Sequence, residues 1–286
     1  TNTKAQWTFV AGPTTVNTFQ FSFSGNVILQ RNFLPNPVYI TDYTRKGQGI
    51  TYPMIYGRNE CIPSLNISNY NGLGASNVNW NNFNRLFNWK DDFSKLIGNH
   101  NVKAGILIMR SRKNQDNWPA VNGSFTFATG HSNSTGNAFG DALIGNFSQY
   151  IEADTNREGW YRFTQVEPYI QDDWKATSRL TLNLGFRYQY MQPQYSVLLN
   201  GVLWLPQYFD PTKAPAINRS NGAILPGNYD PYNGLALSGT DFPQDAKIRI
   251  AKASDPAIKA LFRGLPRSGA YTYWGTWAPR LGFAYD

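Results

Sequence analysis

The sequence predicts an all-β chain: an antiparallel transmembrane β-barrel, in part, with about nine to eleven strands, long extracellular loops and one or two short helices. Three observations carry this. Apolar and polar residues alternate over long stretches, as in strands with one greasy and one wet face. Charged residues are only 15% of the 286 residues, against about 25% in ordinary soluble domains, while aromatics also reach 15%. No apolar run approaches the roughly 20 residues that a spanning helix needs.

The clearest alternation lies between Glu167 and Tyr190. Leu182, Leu184, Phe186, Tyr188 and Tyr190 fall on one face of a strand; Thr181, Asn183, Gly185, Arg187 and Gln189 fall on the other. Lys175 to Arg179 supplies a short polar turn, and Asp172, Asp173 and Trp174 close the preceding strand. The greasy face has two possible solvents. In a secreted β-protein it meets a protein core; in a barrel it meets lipid between aromatic girdles.

The other elements follow in chain order. Gln6 to Ala11 and Val16 to Gln30 read as a hairpin around Gly12-Pro13-Thr14, with Phe19, Phe21 and Phe23 on one face. Residues 31–78 lack periodicity and read as a long loop, far above the usual connection length of about 4–6 residues. Residues 79–115 return to strands around a turn at Gly98-Asn99. Gly123 to Thr129 is a short strand, and Ala138, Phe139, Ala142 and Leu143 have helical spacing. Residues 147–154 read as another strand, and Trp160 to Trp174 as a long one. Residues 191–254 form a second long excursion with strand-like pieces at Gly201–Leu205 and Ile248–Ala251. In SDPAIKALFRG, Asp255 can cap a helix, Pro256 fits its first turn and Gly264 can end it. Ala270–Trp277 and Arg280–Tyr285 read as strands around Ala278-Pro279.

DDFSKLIGNHNVKAGI (91–106) and DDWKATSRLTLNLGF (172–186) repeat one design: an acidic pair, an aromatic, a polar turn, then an alternating strand with a glycine in its polar register. Gly105 and Gly185 allow close approach on the inward face. Neighbouring carboxylates in a strand point to opposite faces, so Asp91/Asp92 and Asp172/Asp173 do not form a paired acid/base site. One cysteine, Cys61, rules out an internal disulfide framework. His100 and His131 have no partner at metal-ligand spacing, and no G-x-S-x-G occurs. The expectation is no enzyme, no metal and no cofactor. The formal charge of +8 is scattered rather than clustered, so no nucleic-acid partner is expected.

The hairpin resembles the barrel of TonB-dependent outer-membrane receptors. Tyr169-Ile170-Gln171-Asp172-Asp173-Trp174-Lys175, followed by Leu180-Thr181-Leu182-Asn183-Leu184-Gly185-Phe186-Arg187-Tyr188, carries the resemblance. Gly98 to Gly105, Gly123 to Phe127, Gly136 to Gly145 and Ala278 to Phe283 are similar to pieces of the Oar-like branch. The resemblance implies a barrel of about 22 strands with an N-terminal plug and a TonB box. Neither plug nor box is recognisable, so residues 1–286 read as an internal part of a single barrel domain within a longer chain.

What this implies is a barrel segment of a receptor and transporter in the outer membrane of a Gram-negative bacterium, importing a scarce substrate. Its partners would be outer-membrane lipid, the TonB complex through the missing N-terminal region, and an unknown extracellular ligand. The alternative is a secreted carbohydrate-binding or adhesive β-domain. Residues 31–78 and 192–254 would face outside. Within them the loop aromatics Trp204, Tyr208, Phe209, Tyr229 and Tyr232 are the candidate ligand contacts. Val166, Ile170, Leu182, Leu184 and Phe186 would face the bilayer. Glu167, Gln171, Asn183 and Arg187 would face the lumen, with Lys175 to Arg179 as a periplasmic turn.

Overall fold

The computed structural model describes residues 1–30, 44–53, 61–73, 80–117, 120, 122–153 and 157–286. Strands β1 (Asn2–Gly12) and β2 (Thr15–Gln30) form the first hairpin, and a short β3 (Ser64–Ile67) follows. Strands β4 (Trp80–Ile97) and β5 (His100–Asn117) form the second hairpin. Strand β6 (Ser124–Phe127), helix α1 (Ala138–Leu143) and β7 (Gln149–Ile151) come next. The third hairpin is β8 (Arg157–Lys175) with β9 (Leu180–Tyr188); β10 (Tyr190–Met191) and β11 (Tyr195–Ser196) continue the β9 side along β8. Then come β12 (Val202–Trp204), β13 (Leu235–Ser238), α2 (Gln244–Lys247), α3 (Pro256–Lys259), β14 (Phe262–Leu265) and β15 (Trp277–Tyr285).

One nine-stranded sheet dominates, in the order β1-β2-β4-β5-β8-β9-β15, with β10 and β11 beside β8. Each long strand pairs with the next long strand of the sequence, so the sheet is a meander with insertions. By contacts the chain divides into two compact units: residues 1–26, 84–113 and 159–286, and residues 27–83 and 114–158.

In the first unit the register follows the alternation of the sequence. Ile170 lies opposite Phe186 and Trp174 opposite Leu182; Gln171 lies opposite Gly185 and Asp173 opposite Asn183. Strand β15 continues both faces, with Leu281 opposite Leu184 and Phe283 opposite Leu182. The apolar face therefore runs across β8, β9 and β15, interrupted by Asp172, which lies opposite Leu184. It extends across β2 and β4 too, where Phe21 meets Trp89 and Phe23 meets Phe87 at centroid distances of 5.7 and 5.1 Å.

The tight turns line up at one rim. The Leu96 N–H donates to the Thr14 carbonyl (2.8 Å), Lys175 N–H to Asn99 (2.9 Å), and Asp286 N–H to Arg179 (3.0 Å). Gly98 adopts φ +56 in the second of these turns, a conformation that favours glycine. The long connections leave from the opposite rim. Strand β8 has 19 residues, about 60 Å of extended chain, roughly twice the hydrocarbon thickness of a bilayer. Its far end bears Trp160, where a second layer begins.

That layer gives the long excursion at 191–254 a fold of its own, and the strand-like piece at Gly201–Leu205 holds β12 (Val202–Trp204). Strands β12, β13 and β14 form a separate three-stranded sheet over a core of Leu198, Leu237, Phe242, Ala246, Ala253 and Leu261, with Trp160 packed against it. Pieces of three or four residues are too short to show a period, and their apolar residues meet only through contacts distant in sequence. Ile248–Ala251 is a turn after α2 rather than a strand. Asp255 does cap α3, accepting from the Ala257 N–H at 2.9 Å, but α3 stops at Lys259 and Gly264 lies inside β14 at φ +70. Ala270–Trp277 is not a strand; β15 begins at Trp277 and carries Pro279 within it.

The second unit is built on β3-β6-β7, with β3 parallel to β6 and α1 packed over Ile67 and Phe127. Part of 31–78 is thus ordered strand rather than loop; residues 44–53, 61–63 and 68–73 are turns, bridges and irregular chain, and residues 31–43, 54–60 and 74–78 lie outside the described residues. Among the described residues there are fifteen strands and three short α-helices, more than the about nine to eleven and one or two expected from pattern alone. The surplus is short strands and helical turns in the connections; the long, periodic strands are where the alternation places them. No helix among the described residues is long and apolar enough to cross a membrane.

Candidate functional site

The polar face of the large sheet is a connected set of side chains. Gly105 makes room for it: a Cβ there would come within 2.6 Å of the Tyr169 ring. The Tyr169 ring crosses this gap and its hydroxyl donates to Asp92 Oδ1 at 2.8 Å. Lys90 Nζ lies 2.5 Å from the other Asp92 oxygen, and Lys103 Nζ 3.4 Å from Asp173. Glu167 accepts from Gln165 and from Gln189 Nε2 (2.7 Å) and lies 3.9 Å from Arg187. These are mutually satisfied charges of a polar wall, bound to donors on their own and on neighbouring strands.

The acidic pairs split between faces as their adjacency requires. Asp91 accepts from Asn17 Nδ2 at 2.9 Å while Asp92 faces Tyr169. Asp172 contacts His100 Nδ1 at 2.6 Å, whereas Asp173 faces Lys103. The His100 ring also stacks on Trp174 at 5.2 Å and 12°. Sequence reasoning missed this partner for His100, because only the pairing of β5 with β8 brings the two turns together. The one signal was the acidic pair repeated beside both turns.

On the apolar face, aromatics stand at two levels. Trp174 is near the turn rim; Tyr188 and Trp277 pack together at 4.2 Å toward the other. Leu182, Leu184 and Phe186 lie between them, and the last two remain exposed. This is a greasy band between aromatic girdles.

The loop aromatics sit above the far rim. Trp204, on β12, meets Phe209 at 6.1 Å, and both are exposed. Gly234, at φ +79, underlies Trp204, whose ring would clash with any Cβ there. Tyr208 is in the intervening 3-10 turn and is covered by the Arg263 guanidinium at 5.1 Å. Asp210 caps the next turn, its carboxyl lowered by the Thr212 hydroxyl and N–H. The structure thus brings Trp204, Tyr208 and Phe209 into one segment. Tyr232 packs on the loop core instead, and Tyr229 is half-buried without a ring contact to the other four. A second aromatic group, Tyr195, Tyr271 and Trp274, lines a cleft of about 420 Å³. It escaped notice because residues 270–277 read as a strand.

In the second unit, Asp141 of α1 is fully buried. Ser134 Oγ donates to it at 2.6 Å and the Thr135 N–H at 2.7 Å, which hold its carboxyl down at about 2. Asn137 caps the same helix, accepting from the Phe139 and Gly140 N–H groups. The carboxylate pins the loop that precedes the helix.

An amphipathic antiparallel wall, with tight turns on one rim and folded connections on the other, defines an outer-membrane β-barrel protein. The chain belongs to the family described as outer membrane beta barrel domain, whose profile matches residues 1–286. It is a protein of the Gram-negative outer membrane, so its apolar face meets lipid, and the secreted alternative is set aside. No curated protein and no solved structure matches the chain significantly.

Proposed function

We propose that this barrel wall belongs to a TonB-dependent receptor that binds a scarce substrate outside the cell and imports it with energy relayed by TonB. The observation that carries the reading is the cored loop layer on β8, which holds Trp204, Tyr208 and Phe209 on a stable base with all three exposed. A preordered aromatic surface loses little conformational freedom when a ligand arrives. The motif at Tyr169–Tyr188 supports the same reading. No covalent chemistry is assigned to the chain; its residues build a wall and hold a ligand. Growth tests this reading across a panel of iron chelates, cobalamin, oligosaccharides and peptides. A strain lacking this protein and one lacking TonB should fail on the same nutrient. Uptake of that nutrient in the strain lacking TonB would sink the proposal.

A further inference from the structure

We infer that the cleft between Gln192–Tyr195 and Pro266–Trp274 binds an acidic sugar, a pyranose ring bearing a carboxylate. It deepens the receptor reading, on which its consequence for transport rests; the binding itself does not.

Both walls of the cleft are fixed. On one side Gln192 N–H donates to the Thr164 carbonyl of β8 at 2.9 Å, and Tyr195 pairs with Arg162 in β11. On the other, Gly269 N–H donates to the Pro266 carbonyl at 2.7 Å, closing a four-residue turn. Gly269 stands at φ +73 with Leu203 beneath it, so close that a Cβ would come within 2.5 Å of Leu203 Cδ1. That turn presents Arg267, whose guanidinium carbon sits 4.7 Å over the Tyr195 ring. Trp274 is held by stacking on Tyr190 at 5.2 Å.

The chemistry of the lining selects the ligand. No carboxylate is among the lining residues, so nothing in the cleft neutralises Arg267. One guanidinium face is spent on Tyr195, and the planar N–H fork remains to grip a carboxylate with two parallel hydrogen bonds. Tyr271 and Trp274, 80% and 62% exposed, offer flat apolar surfaces that match the C–H face of a pyranose. The Gln192 amide both donates and accepts, as ring hydroxyls require. An inorganic anion would leave the two rings uncovered, and a neutral apolar ligand would leave Arg267 unmatched. The volume falls within the range of about 300–1,000 Å³ common to small-ligand sites.

The test is calorimetric titration of the purified full-length protein in detergent with digalacturonate and with neutral galactobiose. Digalacturonate should bind saturably and at least about tenfold more tightly than galactobiose, and Arg267→Met should abolish that preference. Tyr271→Ala, at a side chain that supports nothing beneath it, should weaken both sugars several-fold. Heat-modifiable gel mobility confirms that each variant is folded. Absence of saturable binding, equal affinity for the neutral sugar, or an acid preference that survives Arg267→Met overturns the assignment. Digalacturonate binding with uptake that is independent of TonB would leave this site standing and remove the receptor reading alone.

Discussion

The large sheet and the loop layer above it treat the same residue types in opposite ways. In β15 Leu281 and Phe283 are 84% and 78% exposed; in the loop layer Leu198 and Ala246 are at 1% and 0%. Every fully buried apolar residue among the described ones lies outside the long strands. The loop layer hides its apolar groups from water by folding over them, at roughly 25 cal/mol per Å² buried. The sheet hides nothing, because its apolar face is solvated by hydrocarbon. Its backbone must still be fully paired there, which is why the strands are long and regular. One chain is thus written for two solvents, and the boundary runs close to Trp160.

Substitutions in the two regions probe that difference. The largest effect is expected from Leu237→Ala in the loop core, which should cost about 2–5 kcal/mol locally. Limited proteolysis should then cut within 198–262 while heat-modifiable mobility of the barrel stays intact; loss of both would mean the layers are not separable. Next, Leu184→Lys should destabilise the barrel by about 2–4 kcal/mol in urea titrations of lipid-folded protein. Asn183→Lys, on the opposite face, should cost much less, and equal losses would break the assignment of faces. Gly105→Val puts a Cβ 2.5 Å from the Asp91 carbonyl oxygen as well as 2.6 Å from the Tyr169 ring, so it should destabilise the barrel by more than the roughly 1–3 kcal/mol of the lost Tyr169–Asp92 hydrogen bond in the same titration. Tyr169→Phe should reproduce that hydrogen-bond loss without the steric push.

The smallest effect lies in the second unit and depends on pH. The folded Asp141 carboxyl titrates at about 2, below its usual 3.8. Its contribution is therefore complete above that usual value and is lost as pH falls through about 2. Asp141→Asn should make residues 131–146 more sensitive to pepsin than the wild type at pH 4. The gap between the two proteins should close as pH approaches 2, and a gap that persists there would exclude this carboxylate as the pin.

Legibility from sequence divided along the same line. Alternation fixes strand identity and face wherever one side is apolar, so Leu182, Leu184 and Phe186, and the Gly98-Asn99 turn, were readable residue by residue. The helix at Ala138–Leu143 announced itself by spacing, and Asp255 by its capping position. The loop layer did not, because its order comes from Leu198, Leu237 and Leu261 meeting across long sequence separations. The same holds for the exposed aromatic surfaces. Trp204 and Phe209 were visible as an aromatic cluster, but Tyr232 belongs to the core below them. Arg267 and Tyr195 lie 72 positions apart, and no local pattern connects them.

The order of the sheet carries a consequence for how such proteins diversify. Long strands neighbour one another in chain order, and the material between β11 and β15 leaves and returns at a single rim. That insert can be exchanged without shifting any register below it, since the Trp277–Tyr188 and Ile170–Phe186 pairings are set by the strands themselves. Grafting a foreign insert between Ser196 and Trp277 would replace the whole layer above that rim while the membrane continues to meet the same wall.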